Sequence, residues 1–193
     1  MRELKEKILK EGRVLSDTVL KVDSFLNHQV DPQFALKMGK ELAGRFAGAG
    51  VTKVLTVEAS GIAVALTTGL VLNVPVIFAK KKKAFTQEPG SYYSNIFSFT
   101  KREMVGIYVN KKFITRADRV LIVDDFLAQG EALRGMVGII EQAGATLVGV
   151  GVVIEKVFQG GGKALREKGV RIEALAPVAS LAGGKVKFIN GLN

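Results

Sequence analysis

The sequence predicts an α/β fold with a mostly parallel central sheet flanked by helices. Short apolar runs such as residues 53–57 and 120–123 have the length and the β-branched content of buried strands. Apolar segments of helical length, for example residues 62–72, alternate with these strands. Strands joined through helices pair in parallel, and such a sheet needs cover on both faces. Its ligands bind beyond the carboxyl ends of the strands.

The N-terminal part is predicted to contain two helices separated by an irregular segment. Residues 2–11 have the spacing of a short amphipathic helix, whereas residues 14–30 have no clear period. Asp31 and Pro32 suit the N-cap and the first position of the second helix. This helix is expected to turn five apolar side chains inward, namely Phe34, Ala35, Met38, Leu42 and Phe46.

From residue 53 onward, strand and helix patterns alternate along the chain. Strands are predicted over residues 53–57, 74–79, 120–123, 146–155 and 170–175, and helices over residues 62–72, 131–143 and 163–168. Residues 104–109 are expected to form an exposed strand, paired in a hairpin with residues near Phe113. The sequence has no repeat and no interdomain linker, so residues 1–193 are predicted to form one domain.

Composition narrows the classes of function. The chain has 193 residues, 48% of them hydrophobic, which is enough for a sizeable core. The absence of cysteine excludes disulfides and thiolate metal sites and suits a reducing, cytoplasmic location. Residues 1–12 do not resemble a signal peptide, and no apolar run has the length of a membrane span. The net charge of +10 favours nucleic acid, a membrane surface or a phosphorylated small molecule as partner, although a merely charged surface explains it equally well.

The stretch VLIVDDFLAQGEA, residues 120–132, carries the clearest chemical signal. Its apolar strand runs into Asp124 and Asp125, two like charges that are costly to bury unless something nearby uses them. A short loop with Gly130 then leads into a helix, and the backbone N–H groups of such a loop bind phosphate. Two common phosphate motifs are absent, GxxxxGK followed by Ser or Thr, and GxGxxG after a strand. The alternative is a buried acidic pair that merely caps the next helix.

The same stretch resembles the signature of type I phosphoribosyltransferases, which bind 5-phosphoribosyl-1-pyrophosphate. The resemblance implies that Asp124 and Asp125 are the catalytic carboxylates and accept hydrogen bonds from the ribose 2′- and 3′-hydroxyls. It further implies that a loop of five residues binds the 5′-phosphate: Ala128, Gln129, Gly130, Glu131 and Ala132. The family usually has Thr or Ser where Gln129 and Ala132 stand, so backbone N–H groups are expected to supply more of this contact.

Two further loops and one long segment resemble parts of the same family. VEASGIAVA, residues 57–65, resembles the pyrophosphate loop, and FAKKKK, residues 78–83, resembles the basic turn of adenine phosphoribosyltransferases. The resemblance implies that both contact the phosphoribosyl substrate, through Glu58, Ser60, Gly61, Lys80 and Lys81. An ordinary βα turn and a solvated charge run are the alternatives. Residues 84–103 resemble a mobile catalytic lid.

Two segments resemble the bacterial xanthine phosphoribosyltransferases in particular, and this likeness extends over nearly the whole chain. They are residues 15–32, LSDTVLKVDSFLNHQVDP, and residues 152–161, VVIEKVFQGG. The resemblance implies a type I phosphoribosyltransferase fold with a small hood over the purine, made from about residues 12–32 and 153–193. Within the hood, Leu20 is expected to pack on the base, Asn27 to contact its edge, and Lys156 to lie near an oxo group.

The implied reaction belongs to purine salvage. It transfers the phosphoribosyl group to N9 of xanthine and gives xanthosine 5′-monophosphate and pyrophosphate. Mg²⁺ is expected to bind mainly through the phosphoribosyl substrate, with no direct protein ligand assumed. A homodimer without nucleic-acid or membrane partners is also implied.

Two other functions stay open at this point. The first is a DNA-binding regulator with the same fold, which the positive charge would suit. However, residues 1–30 are too short and irregular for a winged-helix domain. The second is use of guanine or hypoxanthine, which share the 6-oxo group of xanthine. From residue types alone, Lys156 reads as a surface lysine and Asn27 as a turn residue.

Overall fold

The computed structural model describes residues 1–83, 89–98 and 103–191. The N-terminal part comprises α1 (Arg2–Glu11), β1 (Arg13–Ser16), β2 (Val19–Lys21), a π-helical turn (Asp23–Asn27) and α2 (Pro32–Arg45). The remainder comprises β3 (Lys53–Val57), α3 (Ile62–Leu72), β4 (Val76–Lys83), β5 (Ser91–Ser98), β6 (Glu103–Asn110), β7 (Arg119–Leu127), α4 (Glu131–Gln142), β8 (Thr146–Lys156), a 3₁₀ turn (Val157–Gln159), α5 (Gly161–Arg166), β9 (Ile172–Ser180), a second 3₁₀ turn (Ala182–Gly184) and β10 (Lys187–Phe188).

Within the described residues, the main sheet has eight strands in the order β10-β9-β8-β7-β3-β4-β6-β5. The five strands β4, β3, β7, β8 and β9 pair in parallel, whereas β6, β5 and β10 are added antiparallel at the two ends. The predicted α/β fold with a mostly parallel sheet is therefore confirmed. β1 and β2 form a separate antiparallel hairpin.

Different helices cover the two faces of the sheet. On one face, α1, α2 and α3 pack with Leu121 and Val123 of β7. On the other face, α4 and α5 pack with Val120 and Ile122. Successive side chains of a strand point to opposite faces, so the continuous apolar run at the start of β7 supplies both cores. Each such side chain, when fully buried, stabilises the fold by about 1.5–3 kcal/mol.

The start of α2 has the predicted cap. Oδ1 of Asp31 accepts a hydrogen bond of 3.0 Å from the backbone N–H of Phe34, and Pro32 occupies the first helical position. The cap satisfies one of the N–H groups that the first turn leaves unpaired. The expected inward side chains of this helix are all buried, Phe34, Ala35, Met38, Leu42 and Phe46.

The strand predicted over residues 104–109 exists as β6, but its exposure and its partner were predicted wrongly. Ile107 is fully buried, and it pairs with Lys81 of β4 on one side and Ser94 of β5 on the other. Phe113 lies beyond the strand in a turn and is exposed. Pairing on both edges satisfies the backbone of β6, and it lets alternate side chains pack in the core under α4.

The basic turn expected within residues 78–83 is also a strand. β4 continues through Lys83, because residues 80–83 find backbone partners in β6. Part of the expected lid is regular as well, since Ser91–Ser98 forms β5 and pairs along the whole of β6. Residues 84–88 and 99–102 of the expected lid lie outside the described residues.

The segment predicted as irregular, residues 14–30, contains the β1–β2 hairpin and the π-helical turn. Leu20 and Phe25 from this segment are buried in the same core as α1 and α2, so it is packed onto the domain. Among the described residues, none of the helices combines the length and the apolar character needed to cross a membrane.

Candidate active site

Three neighbouring parallel strands end at one edge of the sheet. β3 leads into the turn at residues 58–61, β7 carries the two acids and leads into residues 128–130, and β8 ends at Lys156. Asp124 and Asp125 lie inside β7, which continues through Leu127, instead of following the strand as predicted. The extension occurs because the ladder with β8 continues past the acids, pairing Leu127 with Glu155.

Asp124 is a buried carboxylate, 5% exposed. Its Oδ1 accepts a hydrogen bond of 3.0 Å from the backbone N–H of Asp125. Burial, reinforced by the charge of Asp125, raises the pKa of the Asp124 carboxyl well above its ordinary value, and Lys81 opposes this shift. Burial and a neighbouring like charge both favour the protonated form of this carboxyl, so ionised Asp124 is costly in the free protein.

Asp125 is more exposed and is held by a residue of the N-terminal segment. Its Oδ2 accepts a hydrogen bond of 2.5 Å from Nδ2 of Asn27. Asn27 is the last residue of the π-helical turn. The contact therefore brings a residue predicted to bind the purine next to one predicted to bind the ribose.

The five residues predicted to bind the 5′-phosphate lie together at the start of α4. Gly130 is the N-cap, with a left-handed backbone at φ 83°, a conformation that glycine adopts without steric strain. No side chain caps this helix, so the N–H groups of its first turn, at Glu131 and Ala132, are available to an anion. Ala128 and Gln129 connect them to β7.

The turn predicted to bind the diphosphate packs directly against Asp124. A Cβ on Gly61 would lie 2.6 Å from Oδ1 of Asp124 and 2.3 Å from Oγ1 of Thr56, so only glycine fits there. The peptide bond between Glu58 and Ala59 is cis. Ser60 lies in the same turn, between Ala59 and Gly61.

Glu58 bonds to the backbone of the neighbouring strand. Its Oε1 accepts a hydrogen bond of 2.6 Å from the N–H of Lys81, and its own N–H donates to the carbonyl of Ala79 at 3.1 Å. Lys80 and Lys81 are both exposed on β4. The charge of Lys81 lowers the pKa of Asp124 and so partly offsets the effect of burial.

Lys156 lies at the same edge, on the side of the N-terminal segment. Its Nζ donates a hydrogen bond of 2.7 Å to the carbonyl of Thr18 and lies 5.3 Å from the ring centre of Phe126. Burial lowers the pKa of Lys156, and the charge of Asp125 opposes this. Leu20, predicted to pack on the base, is buried in the core at 5% exposure.

Residues 33–171 match the profile of the phosphoribosyl transferase domain family. This chain belongs to that family. The predicted membership and the predicted type of fold are thereby confirmed, since the match covers most of the alternating part of the chain.

Curated relatives of this phosphoribosyltransferase are similar to it in sequence over almost its full length. The xanthine phosphoribosyltransferase of Moorella thermoacetica is 64% identical over 97% of this chain and 95% of its own. That of Heliobacterium modesticaldum is 62% identical over 97% of this chain and 100% of its own.

Solved structures of more distant proteins share the fold of this phosphoribosyltransferase. The adenine phosphoribosyltransferase of Giardia lamblia complexed with 9-deazaadenine has a TM-score of 0.75 at 20% identity, covering 90% of this chain and 97% of its own. The Trypanosoma brucei enzyme in complex with AMP, pyrophosphate and ribose-5-phosphate has a TM-score of 0.72 at 18% identity, covering 90% and 79%.

Two features of this phosphoribosyltransferase site were missed by reasoning from the sequence. The ring of Phe126 lies under the ammonium of Lys156, and the carbonyl of Thr18 binds that ammonium. Phe126 follows the acids in the strand, so extending the predicted strand by three residues, from Val123 to Phe126, would have placed it at the site. The role of Thr18 is a backbone contact between distant segments, for which residue types give no signal.

Proposed function

We propose that this phosphoribosyltransferase transfers the 5-phosphoribosyl group from 5-phosphoribosyl-1-pyrophosphate to N9 of xanthine. The observation that carries the proposal is the hydrogen bond from Asn27, a donor expected to bind the base, to Asp125, an acceptor expected to bind the sugar. The charge of Asp125 also acts on Lys156, the second donor expected to bind the base. The names of the relatives at 64% and 62% identity support the same substrate. The products are xanthosine 5′-monophosphate and pyrophosphate.

The sugar substrate binds along the edge formed by β7 and the start of α4. Asp124 and Asp125 accept hydrogen bonds from the ribose hydroxyls, which are donors. The uncapped first turn of α4 binds the 5′-phosphate through backbone N–H groups, and the helix dipole adds a favourable charge. Gln129 and Ala132 offer no hydroxyl, so the backbone of residues 128–132 supplies this contact.

The diphosphate lies over the turn that follows β3. Gly61 lets the turn approach Asp124 closely, and Ser60 offers a hydroxyl and an N–H to the leaving group. Glu58 is bonded to the backbone of Lys81, so its part is to hold the turn to β4. Lys80 and Lys81 add positive charge at this end of the site.

The reaction forms the bond between N9 and C1′ of ribose as the bond from C1′ to the pyrophosphate oxygen breaks. The electron pair of the broken bond leaves with pyrophosphate, and the N9 proton passes to solvent. The carboxylates of Asp124 and Asp125 stabilise the positive charge that develops on the sugar. The site's positioning of the two substrates supplies the rest of the rate.

The donors present fit a magnesium ion that is held mainly by the diphosphate. Carboxylate oxygens suit Mg²⁺, yet within residues 1–83, 89–98 and 103–191 no group of three or more acidic, histidine or cysteine side chains could form a protein cage for it. When bound, Mg²⁺ neutralises charge on the leaving group.

The base lies between the hood and the end of β8. Lys156 and the amide of Asn27 donate to oxo groups of xanthine, and the face of Phe126 lies beside Lys156 for contact with the ring. Leu20 lines the hood from the core side. Adenine would turn an amino donor toward Lys156, and an unpaired buried donor discriminates strongly against the wrong substrate.

The protein is proposed to act as a homodimer in the cytoplasm. An exposed apolar surface on α3 and β4 supports the dimer: Leu66 is 60% exposed, Leu70 is 69% exposed, and Val71 and Phe78 are each 42% exposed. Leu66 and Leu70 are four residues apart and lie on the same side of α3. α3 follows the diphosphate turn, so a second copy on this surface would border the active site.

Competitive kinetics test the proposal. The purified protein is given phosphoribosyl pyrophosphate, Mg²⁺ and an equimolar mixture of xanthine, guanine, hypoxanthine and adenine, and the nucleotide products are separated. The highest kcat/KM is expected for xanthine. Preference for adenine would overturn the assignment of Asn27 and Lys156, and preference for guanine or hypoxanthine would restrict it to the 6-oxo group.

A further inference from the structure

Glu155 is a buried carboxylate for which the proposed reaction has no use. It is 2% exposed and lies next to Lys156 at the end of β8. Both of its oxygens accept hydrogen bonds from Arg166 at the end of α5, from Nη1 to Oε1 at 2.6 Å and from Nη2 to Oε2 at 2.7 Å. This two-pronged geometry fixes the direction of the guanidinium as well as its distance.

Two glycines at the start of α5 are enclosed by this pair and by the phosphate loop. A Cβ on Gly162 would lie 1.9 Å from Oε1 of Glu155. A Cβ on Gly161 would lie 2.4 Å from the carbonyl oxygen of Ala128 and 2.6 Å from the N of Gly130. The N–H of Gly161 also donates to the carbonyl of Ala128 at 3.1 Å.

The chain between these contacts belongs to the base side of the site. Lys156 and Gln159 both reach the carbonyl of Thr18 in the hood, at 2.7 and 3.5 Å. Residues 156–162 therefore connect the hood to the loop proposed to bind phosphate, residues 128–132, and the ion pair of Glu155 and Arg166 holds this connection in place.

We propose that Arg166 is a positioning residue that sets the purine subsite and the phosphate subsite together. By holding Glu155, it fixes the end of β8 and hence Lys156. By holding α5, it presses Gly161 against the backbone at Ala128–Gly130, so that the N–H groups of that loop point at the 5′-phosphate. This inference rests on the proposed function for the identity of the two ligands.

Loss of Arg166 is expected to disturb both subsites, because it would leave the carboxylate of Glu155 buried and unpaired. Arg166→Ala should raise the KM for xanthine and the KM for phosphoribosyl pyrophosphate, each by about tenfold, while kcat falls less. Arg166→Lys keeps the charge but loses one of the paired contacts, so both KM values should be intermediate. Glu155→Gln, which keeps one acceptor, should resemble Arg166→Lys.

The matched control is Arg171→Ala. Arg171 forms an exposed pair with Glu173 at 3.1 Å, donates a hydrogen bond of 2.7 Å to the carbonyl of Arg45 and lies over Phe46, and these partners lie outside residues 128–132 and 156–162. Its loss should lower the temperature of unfolding without changing either KM. Titration calorimetry with ribose 5-phosphate measures binding at the phosphate subsite in the absence of a purine.

A combined rise in both KM values, partly restored in Arg166→Lys, supports the inference. Wild-type KM values and wild-type affinity for ribose 5-phosphate in Arg166→Ala would overturn it, even if the variant unfolds earlier, and so would a rise confined to one substrate. If Arg166→Ala does not fold, the same comparison between Arg166→Lys and the wild type decides. If the wild-type protein does not use xanthine, the proposed substrate is refuted. If Arg166→Ala has nevertheless lost affinity for ribose 5-phosphate, the role of Arg166 at the phosphate subsite is supported.

Discussion

Asn27 and Asp125, 98 residues apart in the sequence, are joined by a hydrogen bond of 2.5 Å between Nδ2 and Oδ2. The bond joins the π-helical turn of the N-terminal part to the strand that carries both acids. In the proposed reaction each residue has another partner, since Asn27 donates to the base and Asp125 accepts from the ribose. Binding of the sugar would take over Asp125 and release the amide of Asn27 for the purine.

Asn27→Ala should therefore separate the two substrates. We expect kcat/KM for xanthine to fall about tenfold, the usual effect of losing one hydrogen bond to an uncharged partner. Affinity for ribose 5-phosphate should stay unchanged or increase, because the competing bond to Asp125 is gone. Steady-state kinetics and titration calorimetry measure the two effects, and a clear loss of ribose 5-phosphate affinity would contradict this account.

Lys156→Ala should impair use of the base far more than use of the sugar substrate. The substitution removes a charged donor, so a fall of about ten- to a hundredfold in kcat/KM for xanthine is expected. Lys163→Ala is the matched control, because Lys163 is 80% exposed at the side chain and forms a surface ion pair with Glu167 across 3.9 Å. Equal losses for xanthine and for phosphoribosyl pyrophosphate would argue against the role given to Lys156.

Because its pKa is lowered, the side chain of Lys156 loses its positive charge at a lower pH than an ordinary lysine does. Burial is the main cause, and Asp125 opposes it. As pH rises through this lowered pKa, kcat/KM for xanthine should fall at a lower pH than an ordinary lysine would cause. Arginine keeps its charge, so in Lys156→Arg the fall in kcat/KM should occur at a higher pH in the same buffers. If kcat/KM falls at the same pH in both proteins, the titration of Lys156 is not the cause.

The same shift has the opposite effect on stability. Because the folded-state pKa lies below that of the unfolded chain, the unfolded chain holds more protons between the two values. The contribution of Lys156 to the free energy of unfolding should therefore become more favourable as pH rises through that window. Denaturant unfolding across the window, compared with Lys156→Met, measures this contribution.

Asp124→Asn should exchange activity for stability. Burial and Asp125 raise the pKa of Asp124, so the folded protein holds the proton more readily than the unfolded chain, and stability falls as pH rises above the ordinary value of 3.8. An amide cannot ionise, so Tm at pH 7 should rise, by roughly 2–4 °C for each kcal/mol gained, and this gain should vanish near the ordinary value. The rate should fall about a hundredfold or more, because a charge next to the sugar is lost.

Asp118→Asn is the control for that stability effect. Burial of Asp118 is outweighed by hydrogen bonds from Thr115 and Lys53, so the pKa of Asp118 lies below its ordinary value. Ionised Asp118 thus stabilises the fold above that value, and the substitution should lower Tm at pH 7. A lower Tm in Asp124→Asn as well would show that the charge at Asp124 is compensated in the free protein.

Leu70→Glu should disrupt the proposed homodimer. Leu70 is 69% exposed on α3, and a charge there would be buried without a partner in a dimer that uses this surface. Leu9→Glu on α1 is the control at 50% exposure. Analytical ultracentrifugation should show a dimer for the wild type and for Leu9→Glu, and a monomer for Leu70→Glu. If the wild type and both variants are all dimers, the interface does not use this surface of α3.

Local signals in the sequence predicted local structure well. The cap at Asp31 and the apolar run before Asp124 act within a few residues. The helix begins at the predicted residue, and the strand contains the predicted run, although it continues through Leu127. The partners of β6 were missed because strand pairing is a choice between distant segments. A run of lysines was taken for a turn, yet its backbone is paired with β6 and its charges stay exposed.

The site was predictable to the extent that motifs carry it. The acids and the loop predicted to bind phosphate, residues 128–132, form one continuous stretch of sequence, so their proximity follows from the chain itself. The bond between Asn27 and Asp125, and that between Arg166 and Glu155, join segments that only the fold brings together. No spacing rule along the sequence indicates such pairs.

The position of Asp124 within β7 has a consequence for the motions of the protein. β7 is an inner strand, and Asp124 pairs with Val152 of β8 in the parallel ladder. Amide protons in such a ladder exchange with deuterium only through the largest openings of the native state, whereas a separate two-stranded hairpin such as β1–β2 can open in a smaller one. We therefore expect slow exchange at the acids and fast exchange in the mostly exposed residues 13–19. In the proposed reaction, purines would then enter and leave over a part of the protein that stays rigid.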